Sequence, residues 1–212
     1  MNAIVTGYSS GIGKAISEKL QQNGYNVIKL KSRLENVNSL EEEIKDILKN
    51  NNIHILVNCA GVGIFEPHET ISISKIKKLI GINLTAPIIL TKLLLRSLKK
   101  SKGHIINISS IEATKHSKHS ALYTATKSGL RDFSLSLFEE VRKDGIKVTS
   151  INPDITKTDF FDHLKFKPSE DKDAYLEPDQ IAQLVIDIIN INGVITDLTV
   201  RPQKFKIEKN SK

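Results

Sequence analysis

The sequence predicts an α/β protein with a doubly wound parallel sheet and helices on both of its faces. Short apolar runs alternate with segments of helical period along the whole chain. A glycine-rich turn follows the first of these runs immediately. Nothing along the 212 residues indicates a repeat or a linker, so we expect a single domain at residues 1–202, followed by a basic tail at 203–212.

Each predicted element follows from its local pattern. Runs rich in Ile, Val and Leu predict strands at residues 3–5, 26–30, 53–58, 104–108, 147–151 and 194–200. Helical periods predict helices at residues 12–22, 40–48, 73–98, 122–144 and 178–190. We expect Asn23-Gly24 to end the first helix, and Ser39 with Glu42 to form a capping box on the second. Pro87 should bend or step the third.

Two connections differ from the rest. Only nine residues, 31–39, separate the second strand from the next helix, whereas a parallel crossover takes a dozen or more. A complete strand–helix unit is therefore missing there, and the sheet should have about six strands. Residues 154–177 show little periodicity, which is compatible with a mobile lid or with a packed surface loop.

Composition narrows the possible partners and location. The single cysteine, Cys59, fits a reducing compartment, and neither a signal peptide nor an apolar run of about 18 residues is evident. We therefore expect a cytoplasmic protein without a membrane partner. The net charge of +7 comes mostly from lysines spread along the chain, so we do not expect nucleic-acid binding.

The glycine-rich turn predicts a dinucleotide site. It comprises Gly7, Gly11 and Gly13, with Ser9, Ser10 and Ile12 between or beside them. Glycines permit a close backbone approach, and the following helix directs its N-terminal amides at a pyrophosphate. A turn of this kind between a strand and a helix is typical of a Rossmann-type domain.

The end of the second strand bears on the choice of dinucleotide. An acidic residue there would bind the ribose of NAD, whereas basic residues would bind the 2′-phosphate of NADP. The strand ends in Lys31, Ser32 and Arg33, with no carboxylate before Glu35. We expect NADP(H) in preference to NAD(H).

A tyrosine and a lysine supply candidate proton chemistry. Tyr123 and Lys127 stand at i and i+4, on one face of the fourth helix. A nearby cation would lower the pKa of the phenol from about 10 and make it a usable acid or base. Ser110 precedes Tyr123 by thirteen residues.

Together these features resemble the short-chain dehydrogenase/reductase family over residues 3–202. The turn at 6–13 is similar to its TGxxxGIG motif, and Asn58-Cys59-Ala60-Gly61 resembles its NNAG motif. The resemblance implies a catalytic set that is found here as Asn83, Ser110, Tyr123 and Lys127. It also implies that cofactor is bound by Asn58, Ala60, Gly61, Tyr123 and Lys127, and by Ile155 and Thr158 in the segment after Asn152-Pro153.

In the family's mechanism, Ser110 would orient the substrate oxygen and Tyr123 would transfer the proton. Lys127 would hold the nicotinamide ribose and pass protons through a water to Asn83. Two residues depart from the family pattern: Cys59 replaces an asparagine, and Asp154 stands where glycine is usual, which we expect to affect cofactor affinity.

The expected reaction is oxidoreduction of a small carbonyl/alcohol pair with NADP(H). Residues 112–119 are polar and cationic, and should border the pocket, which favours a small polar or anionic substrate. His116 and His119 lack further ligands, so no metal is expected. A sugar-nucleotide epimerase is disfavoured by the glycine spacing and chain length. A catalytically idle NADP(H) sensor remains the alternative.

The fourth helix also suggests self-association. Leu130, Phe133, Leu137 and Phe138 lie along one of its sides and provide more apolar surface than the sheet alone would cover. The family resemblance implies a homodimer or homotetramer through this helix and its neighbour.

Overall fold

The computed structural model describes residues 1–210. Its principal strands are β1 (Asn2–Val5), β2 (Asn26–Ile28), β3 (Ile53–Asn58), β4 (His104–Ile108), β5 (Lys147–Pro153), β6 (Phe166–Pro168), β7 (Asp197–Val200) and β8 (Ile207–Lys209). Its α-helices are α1 (Gly11–Gln22), α2 (Val37–Asn50), α3 (Ile73–Ile80), α4 (Ala86–Ser101), α5 (Ala121–Val141) and α6 (Pro178–Asn190). Residues 211 and 212 of the predicted tail lie outside the described residues.

The main sheet has six parallel strands in the order β2-β1-β3-β4-β5-β7. Apolar side chains of β1, β3 and β4 alternate between two buried clusters. One cluster lies under α1 and α6, the other under α2, α4 and α5. The arrangement confirms the predicted doubly wound Rossmann-type sheet. Among residues 1–210, no further strand lies beyond β2 in this sheet, and α2 is the next element, as the short connection predicted.

Two local predictions need correction. Helix α2 begins at Val37, not near residue 40, because the Asn36 side chain accepts a hydrogen bond from the backbone N–H of Ser39. Ser39 is thus inside the helix and forms no capping box. The step between α3 and α4 is a π-helical turn at Gly81–Thr85, and Pro87 lies just after it, in the first turn of α4. The amide of Ala86 bonds to the carbonyl of Gly81, five residues back, so the regular i→i−4 pattern is already interrupted where Pro87 lacks an N–H.

The helical stretch Ile73–Ser101 is long and apolar enough, by length and composition alone, to cross a membrane. The sequence analysis did not anticipate this, since charged residues interrupt its apolar runs. Leu90, Leu94 and Leu98 of α4 are fully buried against the sheet. Within the described chain this stretch packs as a core helix pair.

The basic tail packs against residues 154–177, for which the sequence left both a mobile lid and a packed surface loop open. Strand β8 pairs antiparallel with β6, and Lys204 contacts both Asp171 and Asp173. The amide of Asn210 donates to the carbonyl oxygens of Phe161 and Leu164. Residues 154–177 therefore contain short ordered elements tied to the end of the described chain.

Helix α5 exposes less apolar surface for self-association than the sequence predicted. Leu130 and Leu137 are buried inside the protein, at 2% and 6% exposure. Phe133 and Phe138 are partly buried against the same core. The protein's own packing therefore uses most of the apolar side predicted to bind a second copy.

Candidate active site

The glycine turn between β1 and α1 has the backbone of a phosphate-binding loop. Gly7 and Gly11 adopt positive φ angles of 70° and 50°. A Cβ on Gly13 would lie 2.3 Å from the carbonyl oxygen of Gly7, so only glycine permits this approach. Thr6 accepts hydrogen bonds from the amides of Cys59 and Ala60 at 2.9 and 3.0 Å, which joins the turn to the end of β3.

An acidic side chain that the sequence analysis missed contacts the segment that follows β2. The two carboxylate oxygens of Glu43, on α2, accept hydrogen bonds from the amides of Lys31 and Ser32 at 2.7 and 2.8 Å. Partial burial tends to raise the pKa of Glu43, but these hydrogen bonds and the Lys31 charge outweigh it, and the pKa lies below its ordinary value. The Ser32 hydroxyl donates to the Ser39 carbonyl. The side chains of Lys31 and Arg33 remain exposed.

Three predicted catalytic side chains meet at the carboxyl end of β4. Ser110 follows that strand and hydrogen-bonds the hydroxyl of Tyr123, which projects from the first turn of α5. The Nζ atom of Lys127 lies 5.9 Å from the centre of the Tyr123 ring and donates to the carbonyl oxygen of Ile108 at 2.9 Å. The spacing of i and i+4 on α5 produces this arrangement.

Burial dominates the electrostatics of the pair. It raises the pKa of Tyr123 to about 12, against the lowering effect of the Ser110 hydrogen bond and with a small addition from Glu112. Burial also lowers the pKa of Lys127 to about 8. The expected lowering of the tyrosine pKa is therefore not found, because desolvation is the larger effect and the ammonium is directed at a carbonyl oxygen.

Asn83 occupies the π-helical turn and holds the loop after β3. Its Oδ1 accepts from the amide of Val62, and its Nδ2 donates to the carbonyl of Val62, both at 2.9 Å. A Cβ added to Gly61 would lie 3.4 Å from Nζ of Lys127 and 3.5 Å from Oδ1 of Asn83. The missing side chain at Gly61 therefore leaves a gap between the lysine and the asparagine.

A cavity of about 280 Å³ joins the glycine turn to Tyr123 and Lys127. The predicted residues that line it are Gly7, Ser10, Gly11, Ile12, Gly13, Ala60, Gly61, Tyr123, Lys127 and Thr158. Those outside its lining are Ser9, Lys31, Ser32, Arg33, Asn58, Asn83, Ser110 and Ile155. Asn58 instead donates to the side chain of Asn107, and Asn83 accepts from the backbone of Val62. Lining residues that the sequence analysis did not assign to the site include Val62, Asp159, Phe160, Phe161 and His163.

Asp154 joins the turn after β5 to the end of β7. Its Oδ2 accepts from Nε of Arg201 at 3.0 Å, and its Oδ1 accepts from the amide of Ile155 at 2.9 Å. The Ile155 amide is therefore engaged by a neighbouring side chain, and Thr156, not Ile155, lines the cavity. The glycine usual at position 154 could make neither contact.

The polar segment 112–119 is not part of the cavity lining, contrary to expectation. Glu112 is buried and accepts hydrogen bonds from Ser117 and Thr124, while Lys115 pairs with Glu112. These hydrogen bonds and the ion pair at Glu112 therefore hold the segment in place. Among residues 1–210, no cluster of three or more His, Cys, Asp or Glu side chains could hold a metal ion.

Comparison with known proteins agrees with this geometry. An uncharacterized oxidoreductase of Staphylococcus aureus strain MRSA252 is 30% identical over 94% of this chain and 96% of its own length. The alcohol dehydrogenase of Thermococcus sibiricus, solved with 5-hydroxy-NADP, has a TM-score of 0.87 at 23% identity and covers 97% of this chain and 98% of its own.

A metagenomic short-chain oxidoreductase solved with NADP has a TM-score of 0.81 at 28% identity, covering 95% of this chain and 97% of its own. The family model described as short chain dehydrogenase matches residues 1–51 and 44–168. The glycine turn and the paired Tyr123 and Lys127 fall within those matches. The chain therefore belongs to the short-chain dehydrogenase family.

Proposed function

We propose that the protein is an NADP(H)-dependent oxidoreductase that interconverts a small carbonyl compound and its alcohol. The observation that carries this proposal is the single cavity shared by the glycine turn and the Tyr123–Lys127 pair. Family membership supports oxidoreductase chemistry. A nicotinamide dinucleotide supplies the hydride for the carbonyl carbon or accepts it from the alcohol.

The residues of the site perform the proton chemistry. With a pKa of about 12, the Tyr123 phenol is protonated at neutral pH and can donate its proton to the carbonyl oxygen of a substrate. The Ser110 hydroxyl carries one hydrogen, so it would donate to the same oxygen only by leaving the phenol. Proton donation from Tyr123 neutralises the alkoxide charge that develops during reduction.

The cofactor-binding assignments follow the same geometry. The tight turn of Gly7, Gly11 and Gly13 leads into the N-terminus of α1, whose first amides have no intrahelical partner and could bind a pyrophosphate. Lys127, buried beside Gly61, would hold the nicotinamide ribose. At the adenosine end, the exposed cations of Lys31 and Arg33 favour the extra phosphate of NADP(H), while the Glu43 carboxylate opposes it.

The remaining assignments follow from composition and family. We place the enzyme in the cytoplasm because its single cysteine suits a reducing compartment. We expect a homodimer or homotetramer in which a second copy covers the half-buried Phe133 and Phe138 of α5.

The decisive experiment is NADPH consumption over a panel of aldehydes and ketones, with Tyr123→Phe beside the unaltered protein. We expect Tyr123→Phe to lose at least about 100-fold in kcat, the usual effect of removing a general acid. Tyr25→Phe, at a half-buried tyrosine that packs in the core, is the matched control. Cofactor binding without turnover of any compound would favour the idle sensor instead.

A further inference from the structure

Four phenylalanines form a continuous aromatic wall beside Tyr123. The ring centres of Phe65 and Phe160 lie 5.0 and 6.1 Å from that of Tyr123. Phe166 contacts Phe65 at 5.1 Å, and Phe161 contacts both Phe160 and Phe166 at 5.3 and 5.7 Å. Of the four, Phe160 and Phe161 line the cavity, so its side next to the Tyr123 hydroxyl is apolar. Apart from Phe161, these rings are only half-buried, so they retain surface that a ligand can cover.

Charged groups at the cavity disfavour an anionic substrate. Lys127 is the only lysine or arginine among the described lining residues, and its ammonium is bonded to a backbone carbonyl. Asp159 lines the same cavity, and so does Asp154, whose carboxylate is paired with Arg201. Lys115, from the segment before α5, pairs with Glu112. A carboxylate or phosphate on the substrate would therefore approach the Asp159 carboxylate and find no free arginine fork in the described lining.

Gly63 allows the aromatic rings to converge. A Cβ at this position would lie 2.5 Å from Cζ of Phe160 and 3.0 Å from Cε2 of Phe65. The backbone of Gly63, in the loop after β3, therefore lies directly beside the Phe160 ring. Any side chain at Gly63 would displace Phe160 from its place beside Tyr123.

We propose that the substrate is an uncharged aldehyde or ketone whose compact apolar body, of about one aromatic ring, packs against Phe160 with its carbonyl oxygen at Tyr123. This inference rests on the proposed oxidoreductase function and names its substrate class. It replaces the polar or anionic substrate expected from residues 112–119. The size limit follows from the cavity of about 280 Å³, which must also hold the nicotinamide end of the cofactor.

The kinetic test compares benzaldehyde, 4-formylbenzoate and propanal at saturating NADPH. We expect kcat/KM for benzaldehyde to exceed that for its carboxylated analogue at least tenfold, since an unpaired charge at an apolar wall is rejected strongly. Phe160→Ala should lower the benzaldehyde-to-propanal ratio about tenfold, and Gly63→Ala should lower it through displacement of the same ring. The matched control, Phe205→Ala, alters a phenylalanine that is 60% exposed and outside the cavity. Preference for 4-formylbenzoate, or an unchanged ratio in Phe160→Ala, would overturn the inference.

A binding test separates this inference from the proposed function. Calorimetric titration of the NADPH complex with benzyl alcohol and with 4-(hydroxymethyl)benzoate involves no turnover. Stronger binding of benzyl alcohol without reduction of any panel aldehyde would retain the apolar site and remove the oxidoreductase assignment. Tyr123-dependent reduction of carboxylated compounds, with stronger binding of 4-(hydroxymethyl)benzoate, would retain the oxidoreductase assignment and overturn the apolar substrate class. Binding of neither alcohol would also overturn the inference.

Discussion

Replacing the buried Lys127 should stabilise the cofactor-free protein at neutral pH. Lys127 is 3% exposed, and burial lowers its pKa from the ordinary 10.5 to about 8. At about 1.36 kcal/mol per pH unit, burial of the ammonium costs about 3 kcal/mol at pH 7. Lys127→Met removes that cost but also the hydrogen bond to Ile108, worth about 1 kcal/mol. The expected net gain is about 2 kcal/mol.

The pH dependence identifies the cause. The folded pKa lies below the unfolded one, so the cost is fully present below pH 8 and declines as pH rises from about 8 towards 10.5. At about pH 9.5 it is about 1 kcal/mol, which the lost hydrogen bond offsets. The variant should therefore be about 2 kcal/mol more stable at pH 7 and about as stable as the parent at pH 9.5.

Thermal unfolding followed by circular dichroism at the two pH values measures this difference. For a domain of about this size, about 2 kcal/mol raises Tm by about 4 to 8 °C. Lys14→Met is the matched control, since that side chain is 59% exposed and its loss should change stability by less than about 0.5 kcal/mol. A variant less stable at pH 7, or a gain that does not vary with pH, would refute the reasoning.

Three further predictions concern the cofactor site and its supports. Arg201→Ala leaves the Asp154 carboxylate, which is 1% exposed, without its cation. Because Arg201 is itself 55% exposed, we expect the free energy of unfolding from chemical denaturation to fall by about 2 kcal/mol. A fall of less than about 0.5 kcal/mol would contradict the buried pair. Glu43→Gln removes a negative charge from the adenosine end of the cofactor site. In binding titrations, the affinity for NADPH relative to NADH should rise about fivefold, which corresponds to about 1 kcal/mol. An unchanged ratio would show that the carboxylate is remote from the phosphate. Gly13→Ala places a methyl group 2.3 Å from a carbonyl oxygen of the same turn and should weaken NADPH binding at least about tenfold. The control Gly81→Ala, with no atom within 4 Å of the added methyl group, should leave the affinity unchanged. Equal NADPH affinities of the two variants would contradict the close approach.

The sequence predicted the parts of the fold that depend on local pattern. Strand and helix periods located the six strands of the main sheet, and the short connection at 31–39 correctly excluded a seventh unit. Helix boundaries were less accurate, because Asn36 and Ser39 are both good capping residues and only the backbone path selects Asn36.

The candidate site was predictable where residues are neighbours on one element. Tyr123 and Lys127 share a helix face, so their proximity followed from spacing alone. Glu43 and Phe65 escaped notice because each reaches the site from a different part of the chain, and a parallel sheet brings such residues together without a sequence signal. The tyrosine pKa was also unpredictable, since it depends on how much water the surrounding protein excludes.

The open edge of the sheet at β2 has a practical consequence. Because α2 follows this strand directly, no strand–helix unit covers the adenosine end, and Lys31 and Arg33 face solvent. A cofactor attached to a solid support through its adenine ring would keep its pyrophosphate and nicotinamide free to enter the cleft. We therefore expect the enzyme to be retained on adenine-linked NADP resins and released by free NADPH, which would make purification possible without an added tag.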